Sequence, residues 1–277
     1  MNVQFRNATR TDLRHILGWA ASEGWNPGQE DAEAFFAADP EGFFVAERAG
    51  EVIAAISVVN HSDRFSFLGL YICTPDCRGQ GIGYSLWKHA LEHAGGRTVG
   101  LDGVAEQEAN YAKSGFVSTG ATMRYEGRLQ AKASPAVRLA TPADVDALAA
   151  LDGAANGVHR PLFLNRWTAL EETRKTVVLQ DNNRITGFAT IRICDDGAKI
   201  GPIIAPNVDG ALILARAALD MMPSERVIID VPSSNQPMID RLLSAGFESG
   251  FTTARMYRGP APTVGPALQA IATMELG

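Results

Sequence analysis

The chain has 277 residues, 46% hydrophobic and 20% charged, which is long enough for two ordinary domains with a sizeable core. A net charge of −6 with scattered Lys and Arg argues against a nucleic-acid surface and mildly favours cationic partners such as amines. Three cysteines (Cys73, Cys77 and Cys194) make no even disulfide framework and lack the companions of a zinc site, so reduced thiols and no metal are expected.

The opening "MNVQFRNATRTDL" is polar where a signal peptide is apolar, and no apolar run reaches membrane-spanning length. A cytoplasmic protein with no membrane partner is the expectation. "FRNATRTDLRHIL" (5–17) reads as a short strand, a Thr9 N-cap and an amphipathic helix. "FFVAERAGEVIAAISVVN" (43–60) reads as two β-strands joined at Ala49–Gly50–Glu51. The strand-like "SFLGLYIC" (66–73) leads into "TPDCRGQGIG" (74–83) and then into the helix-like "YSLWKHALEHA" (84–94). Ile82, Leu86, Ala90 and Leu91 share one stripe of that helix, which Gly95–Gly96 ends. "RTVGLDG" (97–103) is a further strand.

The pattern then repeats. "VRLATPADVDALA" (137–149) matches the opening, with Arg138, Thr141 and Asp144 answering Arg6, Thr9 and Asp12. "TVVLQDNNRITGFATIRIC" (176–194) matches the hairpin, turning at Asp181–Asn182–Asn183, and "AGFESGFTTARMYRG" (245–259) matches "SGFVSTGATMRYEG" (114–127). A period this long marks a duplicated domain, not a solenoid, whose repeats run to about 20–50 residues. The expected division is a first unit over 1–128, a linker over 129–135 in "LQAKASPA", a second unit over 136–259 and a tail over 260–277. Each unit is a mixed α/β (α+β) arrangement.

Three readings compete for the glycine loop. A Walker P-loop fails because no Gly-Lys-Ser/Thr follows. A dinucleotide fingerprint needs a third glycine where Tyr84 stands, although Asp102 lies near the distance of a ribose-binding acid. A plain turn rarely needs three glycines, which cost backbone entropy. Arg78-Gly79-Gln80-Gly81-Ile82-Gly83 instead resembles the Arg/Gln-x-x-Gly-x-Gly/Ala motif of the GNAT N-acyltransferase superfamily, with Pro75 ahead of it. "NYAKSGF" (110–116) resembles that family's later Tyr-x-x-x-Gly-Phe segment. With "WAASEGWNPG" (19–28) and "LDGVAEQEANYAKSGF" (101–116), the chain is similar to a tandem branch of the superfamily that has a divergent second unit.

The resemblance implies two GNAT-like domains in tandem, each a mostly antiparallel mixed sheet flanked by helices. It implies acetyl-CoA as co-substrate, its pyrophosphate on backbone N–H groups of Gly79 to Tyr84 at a helix N-terminus and its pantetheine arm along Tyr71-Ile72-Cys73 where two strands splay. Tyr111 fills the slot of the general acid; its own pattern reads as a core tyrosine, and only the Tyr-x-x-x-Gly-Phe spacing after a glycine loop reverses that. A backbone N–H near Ile72 or Cys73 would meet the oxyanion. Glu23 and Asp102 are the candidate acceptor-binding or base carboxylates, against a solvated or capping role for each, and Trp25 is expected to pack on the core. His159 and Arg160 are placed at the surface.

The second unit departs from the pattern. "IGPIIAPNVDGALILARAAL" (200–219) lacks the arginine and Gly-x-Gly pair, and Leu242 fills the tyrosine slot. The family's CoA-touching Asn, twelve residues before the Phe, is Val104 in the first unit, yet Asn235 keeps it in the second. The resemblance therefore implies an N-acetyltransferase acting by direct transfer on a primary amine, with its chemistry in 1–128 and a silent second unit. The second unit and tail would roof the cleft and favour a small-molecule acceptor. The competing reading is a non-catalytic acyl-CoA-binding sensor or scaffold.

Overall fold

A computed structural model describes residues 3–277. Its first half runs β1 (Val3–Asn7), α1 (Arg10–Ser22), α2 (Asp31–Ala38), β2 (Phe43–Arg48), β3 (Glu51–Asn60), β4 (Phe65–Cys73) and α3 (Ile82–Ala94). It continues through β5 (Thr98–Val104), α4 (Glu108–Lys113) and β6 (Val117–Gly127). The second half repeats the order with β7 (Val137–Leu139), α5 (Val145–Asn156), α6 (Pro161–Trp167), β8 (Arg174–Asp181), β9 (Arg184–Ile193) and β10 (Ala198–Ile204). α7 (Val208–Met221), β11 (Val227–Pro232), α8 (Gln236–Ser244) and β12 (Glu248–Arg258) follow, and then β13 (Leu268–Ala270).

Local chemistry fixes matching pieces in both halves. Thr9 accepts from the Asp12 N–H while the Asp12 carboxylate accepts from the Thr9 N–H, a reciprocal cap on α1. Thr141 and Asp144 repeat it. Arg6 donates to Asp12 and Arg138 to Asp144, each at 2.7 Å; with the cap, Arg6 holds Asp12 down to about 2, and Arg138 holds Asp144 well below the usual carboxylate range. Ala49 and Gly50 both have positive φ, as do Asn182 and Asn183, so the β2–β3 and β8–β9 hairpins close on two left-handed residues.

The strands form one continuous sheet in the order β1-β2-β3-β4-β5-β12-β6-β11-β10-β9-β8-β7. The β4–β5 and β10–β11 pairs are parallel and the remaining pairs antiparallel. At the centre the two halves exchange their last long strands. β12 of the second half pairs with β5, and β6 of the first half pairs with β11. The units expected over 1–128 and 136–259 thus each complete their sheet with a strand that the other supplies.

α1, α2, α5 and α6 pack into one shared core on one face, with Phe35 stacked on Trp167 across the halves. α3 packs on the other face of the first half through Leu86, Trp87 and Ala90, and α7 and α8 do so in the second. The segment after β12 is an internal element and not a loose tail. β13 pairs with β10, and residues 268–277 are all buried. Arg160 is likewise inside, which corrects its expected surface placement. Its guanidinium donates to both Asp152 oxygens and to the Gly277 carbonyl, while His159 is exposed.

The seam between the halves is charged. Arg124 of β6 faces Asp230 of β11 in register and donates to both its oxygens, at 2.8 and 3.0 Å, with the side chains 3% and 6% exposed. Asp31 of α2 pairs with Arg174 and Arg192, whose guanidinium groups flank the Trp167 ring. Removing one partner of such a pair leaves a buried charge without compensation. Asp230→Ala is expected to lower unfolding free energy by about 3–5 kcal/mol in urea titration. Glu225→Ala, in the 85% and 92% exposed Arg128–Glu225 pair, is expected to leave the midpoint within error.

Candidate active site

β4 and β5 run together from Phe65–Thr98 to Leu68–Leu101, and their pairing stops there. Beyond that point β4 bulges. Its register with β3 slips between Ala55 and Ser57, and Leu70 adopts φ +46. A bulge bends its strand and breaks the ladder. Here it opens a cleft of about 640 Å³ walled by Gly69–Cys73 on one side and Asp102 and Val104 on the other.

Tyr71, Ile72 and Cys73 lie on this wall, and the loop that follows closes one end of the cleft. Gly79 and Gly81 have φ +75 and +77, and a Cβ on either would meet nothing within 4 Å. Their backbone faces open space. Gly81 is the N-cap of α3 and carries no capping side chain. The first-turn N–H groups of Ile82, Gly83 and Tyr84 have no intrahelical acceptor by helix geometry. Among the described residues none accepts from Gly79, Gln80 or Gly81 N–H. This is a row of free donors at the positive end of a 13-residue helix, suited to a pyrophosphate. Gly83 has a different task. A Cβ there would come within 2.7 Å of Tyr71 Oη and 2.8 Å of Cys73 Sγ, so its absence lets α3 approach β4.

The polar side chains of the loop bond back to the protein. Arg78 Nε donates to the Cys73 carbonyl and its Nη2 to Glu23 Oε1. Gln80 donates to the Asp76 carbonyl, and the Tyr84 ring is 61% exposed over Lys88. The cradle is thus a backbone feature, and Arg78 braces it against the end of α1. Glu23, the first candidate base, is engaged in that brace.

Asp102 also departs from expectation. Its carboxylate takes Arg255 Nε at 2.8 Å and Nη2 at 2.6 Å, and Thr122 Oγ1 at 3.0 Å. Arg255 sits opposite it on β12. With both oxygens on a guanidinium, Asp102 ties the exchanged strand to β5 and is not a free carboxylate for an amine.

Tyr111 projects from α4 into the cleft wall, 8% exposed, with its ring stacked on Trp87 at 5.3 Å. Gly103 makes room for it: a Cβ there would lie 2.3 Å from the Tyr111 ring. Burial pushes the phenol up to about 12, so it holds its proton at neutral pH.

The opposite end of the cleft comes from residues that sequence reasoning missed. Arg124, Phe251, Met274 and Glu275 line it beside Trp25, whose carbonyl accepts from Lys199 and Arg124. Arg124 belongs to an exchanged strand, and Met274 and Glu275 lie in "ATMELG", which carries no motif.

The second half has the same splay, already filled. β10 pairs with β11 only at Ala198 and Lys199, and its register with β9 slips between Ile200 and Ile203. β13 pairs with β10 inside the gap, and Ile271 N–H donates to the β11 carbonyl of Asp230 at 3.0 Å. Asn235 donates to the Leu268 carbonyl at 3.2 Å. The helix end that would meet a phosphate is capped by Asn207, which accepts from Gly210 N–H at 2.9 Å. The chain's own backbone therefore lies where the first half keeps open space.

The family model described as "Acetyltransferase (GNAT) family" matches residues 10–116, and that described as "Acetyltransferase (GNAT) domain" matches 148–266. Holothin acyltransferase of Pseudoalteromonas sp. (strain SANK 73390) is 37% identical over 274 residues, covering 98% of this chain and 93% of that protein. A putative acetyltransferase from Pyrococcus horikoshii has a similar structure, with a TM-score of 0.84 at 19% identity over 99% of this chain and 96% of that one. A GCN5-related N-acetyltransferase from Sphaerobacter thermophilus gives 0.63 at 16% identity over 96% and 98%. The open cleft, its glycine cradle and these likenesses coincide on the same residues, and the chain belongs to the GNAT acyltransferase superfamily as two GNAT domains in tandem.

Proposed function

We propose that the protein transfers an acetyl group from acetyl-CoA directly to the primary amine of a small molecule, in the cleft between β4 and β5. The observation that carries this reading is the uncapped, glycine-lined start of α3 beside a splayed strand, with a protonated phenol on the facing wall. When bound, the donor supplies a thioester carbonyl and a leaving thiol whose ordinary pKa is about 8.5. The N–H groups from Gly79 to Tyr84 hold the pyrophosphate, and the edge of β4 from Tyr71 to Cys73 aligns the arm. Tyr111 Oη holds the proton that the departing sulfur takes up, and its stacking on Trp87 fixes where that proton sits.

Size supports a small acceptor. The cleft holds about 640 Å³, within the range of small-molecule sites, and Phe251 and Met274 line it. The relative named as holothin acyltransferase supports acyl transfer as the reaction. The direct test is release of free thiol from acetyl-CoA by the purified chain with a panel of small primary amines. Donor binding without thiol release would make the chain an acyl-CoA-binding protein instead.

Tyr111→Phe is expected to lower turnover by about 10²–10⁴ while leaving the acetyl-CoA dissociation constant unchanged. Near-normal turnover of that variant across pH would remove Tyr111 from the chemistry. Calorimetric titration is expected to give one acetyl-CoA per chain, because β13 fills the second cleft. Gly81→Glu should abolish that site by placing bulk and negative charge in the cradle. A stoichiometry of two would sink the division of labour.

A further inference from the structure

The cleft has four carboxylates on its lining, and two of them are held in ion pairs. Glu23 is paired with Arg78 and Asp102 with Arg255, while Glu106 is exposed in the turn before α4. The fourth, Glu275, is 5% exposed and forms no ion pair with the described residues. Its Oε2 accepts from the Thr273 hydroxyl.

Its position follows from the filled second cleft. After β13 the chain crosses from the gap between β10 and β11 to the first half, and the Glu275 carbonyl packs against Gly69, where a Cβ would come within 2.0 Å of it. Gly69 directly precedes the bulge at Leu70 that opens the active cleft. The glycine cradle follows Cys73, at the other end of the same wall. Four residues of strand separate the two, roughly 13 Å. An arm laid from the cradle along this wall points its reactive end at Glu275.

We propose that Glu275, delivered by the segment that fills the second domain's cleft, is the proton acceptor for the incoming amine. The proposal rests on the acyl-transfer reading above. The amine nitrogen forms its bond to the acyl carbon, the carbon–sulfur bond breaks, the proton leaving nitrogen passes to the Glu275 carboxylate, and the departing sulfur takes the Tyr111 proton. Charge and atoms balance with no other reactant. Glu275 would also give an ammonium acceptor its counter-charge.

The surroundings suit a titrating base. Lys199 of β10, Arg192 of β9 and Arg124 of β6 face Glu275 as cations, and Asp31 of α2 as an anion. Arg124 is committed to Asp230, and Arg192 to Asp31. Burial pushes the Glu275 carboxyl above the usual carboxylate range against the pull of those cations. Burial also pushes Lys199 below the usual ammonium range. Because the base works ionised, activity should rise with pH through its raised pKa and level off above it.

The test compares wild type, Glu275→Gln and Glu275→Asp for thiol release against pH, with acetyl-CoA and amine affinities measured separately by calorimetry. Glu275→Gln is expected to lose about 10²-fold or more in kcat/KM for the amine and to lose the acidic limb of its pH profile. Its acetyl-CoA affinity should stay at the wild-type value, which also reports a folded cleft. Glu275→Asp should recover part of the rate and restore the limb. An unaltered pH profile and rate in Glu275→Gln would overturn the assignment alone. A wild-type chain that releases no thiol with any amine would overturn it together with the acyl-transfer reading.

Discussion

Each half of this chain completes its sheet with the other half's last long strand, and most of the rest depends on that exchange. β5 and β11 carry the parallel strands of their own domains, yet their outer neighbours are β12 and β6. Exchange turns two small sheets into one, and it makes the seam a row of backbone hydrogen bonds with polar pairs set on it. Arg124–Asp230 and Arg255–Asp102 both join strands of different halves. Their burial makes them weak contributors to net stability but strong selectors of register, since a slip would strand each charge.

The same exchange makes the first half's cleft depend on the second half. Asp102 could have been the site's base had it faced the cleft unpaired, but Arg255 from β12 claims it. β6 and β12 bring Arg124, Phe251 and Thr253 to the cleft that β4 and β5 open. The second domain has thus exchanged a ligand site for a wall. Its own splay retains the bulge and holds a segment of the chain in hydrogen-bonding register, with Asn235 kept to hold that segment.

Much of this was legible in the sequence where short-range chemistry decides the structure. The two Thr-x-x-Asp caps, the left-handed hairpin pairs and the glycine cradle each depend on neighbours within a few residues. What the sequence hid is long-range pairing. Strands β6 and β12 look alike, and nothing in an alternating pattern says which β5 or β11 will take as neighbour. The partners of Asp102 and Arg124 lie 153 and 106 residues away. Arg160 reads as a surface arginine until Asp152, one helix earlier, folds beneath it. Glu275 carries no motif because its place is set by the cleft its own segment fills.

That segment has a consequence for biosynthesis. Chains grow from the N-terminal side, so the cradle and Tyr111 are made early, while β12, β13 and the residues that follow come after every other strand. Until they are made, the glycine loop stands beside an unfinished cleft and the second splay has unpaired strand edges. The residues after β12 then cover those edges, which would otherwise be open to pairing with other chains, and bring Met274 and Glu275 to the cleft.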